Sequence, residues 1–514
     1  MTNPAVAMRM LITYAICVPL AILIGYLLTN PLDYGTLGFI GLVALILVSP
    51  VLIKWHYQIM VFGLGCPMVC FFLVGKPPLM QVMVILSLGI AIVERTINSE
   101  KRFLRAPVMT WPLLYILGMV VVTAQLTGGI GLHALGGDTG GGKKYITLFV
   151  GVAIYFALVS QKIPRERWKF YLMLYMLTGL TGVISDLFPV LPSPLNLINL
   201  LFPPAMATDQ DVIIGTTRLR AFSAAFSIMP AYLLARYGLR GIFMAGRLWR
   251  PILFSAGFIL TMLGGYRSFL GTFAMLCFLM LFLEGLHYTR LSALLVLGGV
   301  LGALLLGAFS DKLPFTFQRA MSFLPFKWET EAVMDAQGSS EWRYAIWRAT
   351  WPKVPGYLLL GKGFALSQED YQNIGQGAFA ALGTSHIDAA EDTLAISSDF
   401  HSGPLSTLIP FGIWGAIGIV WLMAATVFVL LRNYWYGDAE LRIFNAYMLA
   451  SCVSSIISFF FIFGAFQNDV GSFAKFAGFS IAMNWGVARR PAKAASNPLI
   501  KPAKPLPAGA VPTA

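Results

Sequence analysis

Apolar residues in this chain run in long blocks, with little of the alternation or amphipathic spacing of a water-soluble fold. Blocks of near-spanning length fall at 10–29, 35–53, 57–74, 79–94, 107–126, 145–161, 170–190, 221–239, 251–265, 268–285, 291–309, 403–431, 443–465 and 471–488. A helix rises about 1.5 Å per residue, so roughly 20 apolar residues cross the hydrocarbon core of a bilayer. The pattern predicts an all-α polytopic membrane protein with about fourteen transmembrane helices. The run Gly264-Gly265-Tyr266-Arg267-Ser268 separates two of the blocks, because paired glycines interrupt a helix. The first block follows Arg9 and is too long for a signal-peptide core, so it is expected to stay as the first membrane helix.

Between the blocks lie two long polar segments. Residues 191–220 are rich in Pro, Leu and Asn and end in Thr216-Thr217-Arg218-Leu219-Arg220. Residues 310–402 form the one substantial segment outside the membrane, with short helices of its own. Five regions follow: membrane helices over 1–214, membrane helices over 215–309, the long loop 310–402, membrane helices over 403–488, and a Pro/Ala-rich tail over 489–514 that is expected to be disordered.

Composition supports lipid as the solvent. Hydrophobic residues make up 57% of the chain and charged residues 11%, against about 25% charged in soluble domains. The net charge of +13 does not mark a nucleic-acid binder, since the basic residues sit in short clusters between apolar blocks. With the N-terminus placed in the cytoplasm, 22 of the 36 Lys and Arg fall on the inside, and 7 of the remaining 14 lie in the long segment 310–402. That asymmetry orients the protein with both termini cytoplasmic and 310–402 on the outer face. Cys17, Cys66, Cys70, Cys277 and Cys452 all fall in apolar blocks and show neither a disulfide framework nor metal spacing.

Charge near membrane depth is costly and needs a reason. Arg267 stands between two apolar blocks with almost no loop to lift it into water; it reads as an anion contact or as a snorkelling arginine at a helix end. Arg218 and Arg220 precede an outer helix mouth, where they suit a phosphate-bearing partner or lipid headgroups. Residues 339–351 predict a short amphipathic helix, with Trp342, Ala345, Ile346 and Ala349 on one stripe, Glu341 in the first turn, and Arg343 and Arg348 on the flanks. His401 stands just before Gly403-Pro404 in a polar run; it is a structural histidine or a base that Asp399 orients. His56 and His287 fall on the cytoplasmic side, His133 and His386 outside. Asp311, Asp335, Glu391 and Asp392 read as solvated loop carboxylates. No metal, nucleotide or haem motif is visible.

Taken in order, these residues resemble a family. The set is Arg220-Ala-Phe-Ser before a helix, Gly264-Gly265-Tyr266-Arg267-Ser268 opening a helix, and Ser340-x-x-Arg343-x-x-x-Trp347 in the outer loop. Then come Pro355 and Leu-Leu-Leu-Gly361-Lys-Gly363-Phe, and His401 ahead of Phe411-Gly-Ile-Trp-Gly415. Over about residues 215–430 the pattern is similar to the bacterial O-antigen ligase and O-antigen polymerase-like superfamily. It departs from that family in having Ser402 where His-Asn is common, in about 37 residues between Gly363 and His401, and in two helices beyond the usual dozen.

The resemblance implies a glycosyltransferase of the bacterial inner membrane that acts at the periplasmic face. The glycan would move from an undecaprenyl-diphosphate carrier to a hydroxyl of a glycolipid or glycan acceptor, without metal or cofactor. It implies that Arg218, Arg220, Arg267 and Arg343 bind the donor diphosphate, and that His401 and Arg267 are the catalytic pair. A polymerase shares this donor chemistry and stays open as an alternative. A transporter or flippase fits the gathering of charge at one face less well, and an inactive scaffold of envelope assembly would leave glycan length and attachment unchanged in Arg267→Ala and His401→Ala.

Overall fold

The computed structural model describes residues 4–27, 34–73, 75–130, 141–187, 192, 195, 197–204, 218–366 and 400–490. They fall into a unit of residues 1–59 and a unit of residues 60–514. Among the described residues the secondary structure is helical and contains no β-strand. Among the described residues six helices are long and apolar enough to cross a membrane: Ile46–Gly65, Leu79–Ile97, Pro107–Thr127, Arg290–Ala308, Gly403–Tyr436 and Ala439–Phe461. Trp249–Gly264 and Arg267–Leu283 are apolar but shorter.

In chain order the principal helices are α1 (Pro4–Leu27), α2 (Tyr34–Gly65), α3 (Leu79–Ile97), α4 (Pro107–Thr127), α5 (Gly142–Leu158) and α6 (Trp168–Met176). There follow α7 (Arg220–Phe243), α8 (Trp249–Thr261), α9 (Arg267–Leu283), α10 (Arg290–Ala308), α11 (Phe315–Met321) and α12 (Thr330–Thr350). The last are α13 (Gly403–Tyr436), α14 (Arg442–Phe461) and α15 (Phe466–Asn484).

Three predicted blocks differ from what is observed. The block 35–53 and the first half of 57–74 share one helix, α2, which ends at Gly65, so Lys54 and His56 lie inside it and not in a cytoplasmic turn. Lys, Trp and His lower local hydropathy but do not break a backbone, and Pro50 is accommodated within the helix. The block 170–190 is α helix only to Met176; a 3-10 run continues over Leu177–Asp186. Here Gly179 and Gly182 let the chain lie against its neighbours: a Cβ on Gly179 would come within 2.1 Å of Ile228 Cδ1.

The tightest crossings in the second unit involve α5 with α15, α7 with α8 and with the 3-10 run, and α13 with α4, α14 and α15. Gly151 and Gly471 face each other where α5 crosses α15, with a Gly151 Cβ placed 3.1 Å from Gly471 N. Small residues of this kind bring membrane helices close, because apolar burial alone gives little driving force in lipid. α10 is apolar all round, and Leu291 is its one buried residue; it has the character of a lipid-facing helix.

Hydrogen bonds divide the second unit into two ends. At one end Arg165 binds Asp438, Trp168 Nε1 donates to Glu440, Trp485 Nε1 donates to Ile163 O, and Tyr434 Oη donates to Leu283 O. At the other end meet the starts of α5, α7, α9 and α13, together with α11, α12 and the segment after α12. Arg319, Asp335, Ser340 and Arg343, from the segment 310–402, lie at this second end.

An arginine cluster and a histidine pocket joined by one helix

The second end is built on local breaks in the apolar pattern. α8 runs into a 3-10 turn, Met262–Gly264, and Gly265 adopts φ 68°, so the chain reverses and α9 opens at Arg267. Glycine takes this left-handed conformation without the Cβ penalty of other residues. Gly264 is needed for a second reason: a Cβ there would lie 2.5 Å from Ser223 Oγ. Ser223 also donates to Thr261 O at 2.5 Å. Since Ser223 is three residues after Arg220, and Gly264 three before Arg267, this contact brings the two helix mouths together. Asp186, at the end of the 3-10 run, accepts from Phe222 N at 2.7 Å and caps the first turn of α7.

α12 lies across these mouths. The predicted helix at 339–351 exists but starts earlier, at Thr330, so Glu341 is mid-helix and not in the first turn. Its covered stripe is polar for much of its length: Ala332, Asp335 and Ala336 are buried, Ser340 and Arg343 half-buried, and Ile346 and Thr350 buried. Ala349, expected on the stripe, is exposed. Hydrophobic periodicity registered only the C-terminal half of this helix, because the rest buries charge.

Asp335 is the centre of that charge. It was expected to be a solvated loop carboxylate, yet its side chain is 2% exposed and binds both Arg218 and Arg319, themselves 7% and 6% exposed. Arg319, from α11, also donates through Nη1 to Gly265 O at 2.5 Å and so fixes the turn before α9. Sequence reading passed over Arg319; its one visible signal was a cation within the apolar stretch Phe315–Leu324. Arg267 donates through Nη2 to Ala336 O and to Ser340 Oγ, the latter at 2.9 Å.

Arg343 is next to this set and close enough to Arg267 and Arg319 for mutual repulsion. Burial, and then the Arg319 charge, push the Arg343 guanidinium below its ordinary value, and its Nε is buried with no hydrogen-bond partner. Four guanidinium groups, of Arg218, Arg267, Arg319 and Arg343, thus meet around one buried carboxylate. The unbalanced positive charge lies in a partly water-excluded place, where a polyanion is favoured. Arg218 is committed to Asp335, while Arg220 stands at the first position of α7.

The C-terminal half of α12 reaches a second feature. Ile346 packs with Val354, Phe400, Leu405 and Ile409, and Trp347 Nε1 donates to Phe400 O at 2.9 Å. This holds the backbone just before His401, which has φ 47°, a conformation uncommon outside glycine and seen where surrounding structure over-determines it. The imidazole packs on Phe463 at 5.1 Å between ring centroids. It borders a pocket of about 550 Å³ whose other walls include Trp347, Arg348, Trp351, Phe459 and Phe463. From Ser340 to Trp347 the rise along α12 is about 10 Å, so one rigid helix spaces the arginines from the histidine pocket. Asp399, His133 and His386 lie outside the described residues, as do Glu391 and Asp392.

The Leu358–Phe364 segment docks on α13. α13 breaks at Gly412 (φ 60°, ψ −152°), just after Pro410. Ile413 N donates to Leu358 O at 2.8 Å, while Lys362 N and Gly363 N donate to Ile409 O and Pro410 O at 2.8 and 2.9 Å. The helical bond that Ile413 would make to Ile409 is exchanged for bonds to the docked segment, which gives the groups freed by the break new partners. Glycines make the approach possible: a Cβ on Gly361 would lie 2.0 Å from Pro410 O, and one on Gly412 would lie 2.4 Å from Leu358 O. Phe364 N then accepts its place by donating to Tyr145 Oη at 2.9 Å.

Residues 251–420 match the family model described as O-antigen ligase. This segment is similar to the O-antigen ligase family. The matched segment holds Arg267, Arg319, Asp335, Ser340, Arg343, the docked Leu358–Phe364 segment, His401 and the break at Gly412. Arg218 precedes it and joins the cluster through Asp335, while Arg220 opens α7. The apolar helices and this match together mark a multi-pass membrane protein. No curated protein and no solved structure matches the chain.

Proposed function

We propose that the protein transfers a glycan from a polyprenyl-diphosphate carrier to a hydroxyl acceptor at the non-cytoplasmic face of the bacterial plasma membrane. The observation that carries this reading is the excess of buried and half-buried guanidinium charge gathered against α12. A lipid diphosphate supplies the multivalent anion that such a site favours, and its polyprenyl tail suits lipid-facing surroundings. The positive-inside asymmetry of the basic loops supports the outer placement of this end.

In the proposed reaction the bond between the anomeric carbon and the diphosphate oxygen breaks, and the electron pair leaves with the diphosphate. Arg267 and Arg343, with Arg220 at the mouth of α7, take up that growing charge. Fixed donors of this kind each supply about 3–4 kcal/mol when aimed at charge that develops in the transition state. Arg218 and Arg319 act differently: they tie Asp335 and so hold α12 over the site. The acceptor hydroxyl forms the new bond to the anomeric carbon and gives its proton to His401. A single displacement inverts the anomeric centre.

The test is product analysis with purified protein, a defined undecaprenyl-diphosphate oligosaccharide and candidate acceptors. Attachment to a glycolipid core with inversion is the expected result. Chain extension on a second lipid-linked oligosaccharide would make the enzyme a polymerase with the same donor chemistry. Net retention, or no transfer, contradicts the proposal.

A further inference from the structure

A second concavity lies at the opposite end of the bundle, away from the arginine cluster. It has a volume of about 1010 Å³ and forms where the ends of α7 and α9 meet the start of α14. α7 is broken at Gly238 (φ 65°, ψ 177°), where a Cβ would lie within 2.8 Å of the Glu284 carboxylate. The break frees two N–H groups, and Glu284 takes both: Leu239 N donates to Oε1 at 2.6 Å and Arg240 N to Oε2 at 3.0 Å. The acid that lines the cleft is therefore bonded to main chain, and it also lies within charge range of Arg240, which leaves Arg442 as the uncompensated cation of the pair. Arg240 and Arg442, both exposed, line the same cleft, and Arg442 has no ion pair among the described residues. Met244, Ala245, Leu283 and Ile443 give it apolar walls.

Charge and surroundings together select an occupant. This end carries the basic loops, with Arg165, Arg236, Arg247 and Arg250 close in sequence or space, so it is the end that faces an anionic leaflet. Beside the cleft, Met244, Leu248, Trp249 and Ile252 are exposed at 55%, 76%, 43% and 63%. Exposed tryptophan and aliphatic residues next to arginines are the composition of a headgroup-level surface. A soluble anion would not need the apolar walls, and an apolar ligand would not need two arginines.

We infer that this cleft binds an anionic glycerophospholipid, with Arg240 and Arg442 on the headgroup phosphate and the acyl chain against Met244, Ala245 and Ile443. The lipid joins the broken end of α7 to α14 across the cleft.

Native mass spectrometry of the full-length protein in detergent, titrated with phosphatidylglycerol or phosphatidylcholine, tests this. Phosphatidylglycerol is expected to be retained in preference to phosphatidylcholine. Retention should fall about tenfold in the R240Q/R442Q double variant. Met244→Trp, which fills the cleft without changing charge, should lower it as well, and Arg267→Ala at the far end should leave it unchanged. Excess inorganic phosphate should not displace the lipid. Equal retention of the two lipids, displacement by phosphate, or unchanged retention in both the double variant and Met244→Trp would overturn the assignment.

Discussion

Arg267 and Ser340 are joined by a hydrogen bond of 2.9 Å that ties the first residue of α9 to the middle of α12. The same Nη2 also serves Ala336 O. A guanidinium can hold two acceptors on α12 and still present its remaining donors to a ligand, because its N–H groups form a rigid fork. Lysine offers a point charge without that fork. Arg267→Lys is therefore expected to lower transfer by about 10²–10³-fold despite keeping the charge. Ser340→Ala, which removes one charge-assisted bond, is expected to cost about tenfold. Rates with a defined lipid-linked donor check both.

Asp335 balances two buried cations, and removing its charge leaves Arg218 and Arg319 uncompensated. Breaking one side of such a pair costs about 3–5 kcal/mol. Asp335→Asn is expected to lower the unfolding temperature in detergent, together with activity. Thermal unfolding followed by tryptophan fluorescence measures the first effect, and α12 supplies a reporter in Trp347.

The break in α13 is a docking site for residues 358–364, and its geometry leaves no room for a methyl group. Gly412→Ala combines a left-handed φ with a Cβ 2.4 Å from Leu358 O, and Gly361→Ala places a Cβ 2.0 Å from Pro410 O. Either variant is expected to release the segment. Hydrogen exchange at Lys362, Gly363 and Ile413, whose N–H groups make the bonds, should rise, while exchange in α5 and α15 stays as in the wild type.

Trp347 positions His401 through the carbonyl before it. Trp347→Phe keeps an aromatic wall but loses the indole donor. It is expected to lower kcat about tenfold with KM for the lipid-linked donor unchanged, since the arginines are untouched. A rise in donor KM with unchanged kcat would place Trp347 in donor binding instead.

Features with a local cause were legible in the sequence. The break at Gly264-Gly265, the helix mouth at Arg267 and the helix carrying Arg343 each follow from residues adjacent in the chain. The pairing of Asp335 with Arg218 and Arg319 was not, because it depends on how α11 and α12 fold back over α7 and α9. A carboxylate in a polar loop looks solvated until its partners are known. α2 shows the opposite error: a dip in hydropathy at Lys54-Trp55-His56 suggested a turn, although none of these residues interrupts helical hydrogen bonding. The segment Leu358–Phe364 was recognised as a motif, but its role came only from seeing Gly361 against Pro410.

If the guanidinium groups gathered against α12 bind the lipid diphosphate, the spent carrier alone should bind there without any chemistry. Binding of undecaprenyl diphosphate to the purified protein should be measured for the wild type, Arg267→Ala, Arg343→Ala and His401→Ala. Each arginine variant is expected to weaken binding at least about tenfold, while His401→Ala leaves it unchanged. Wild-type affinity in both arginine variants would contradict it.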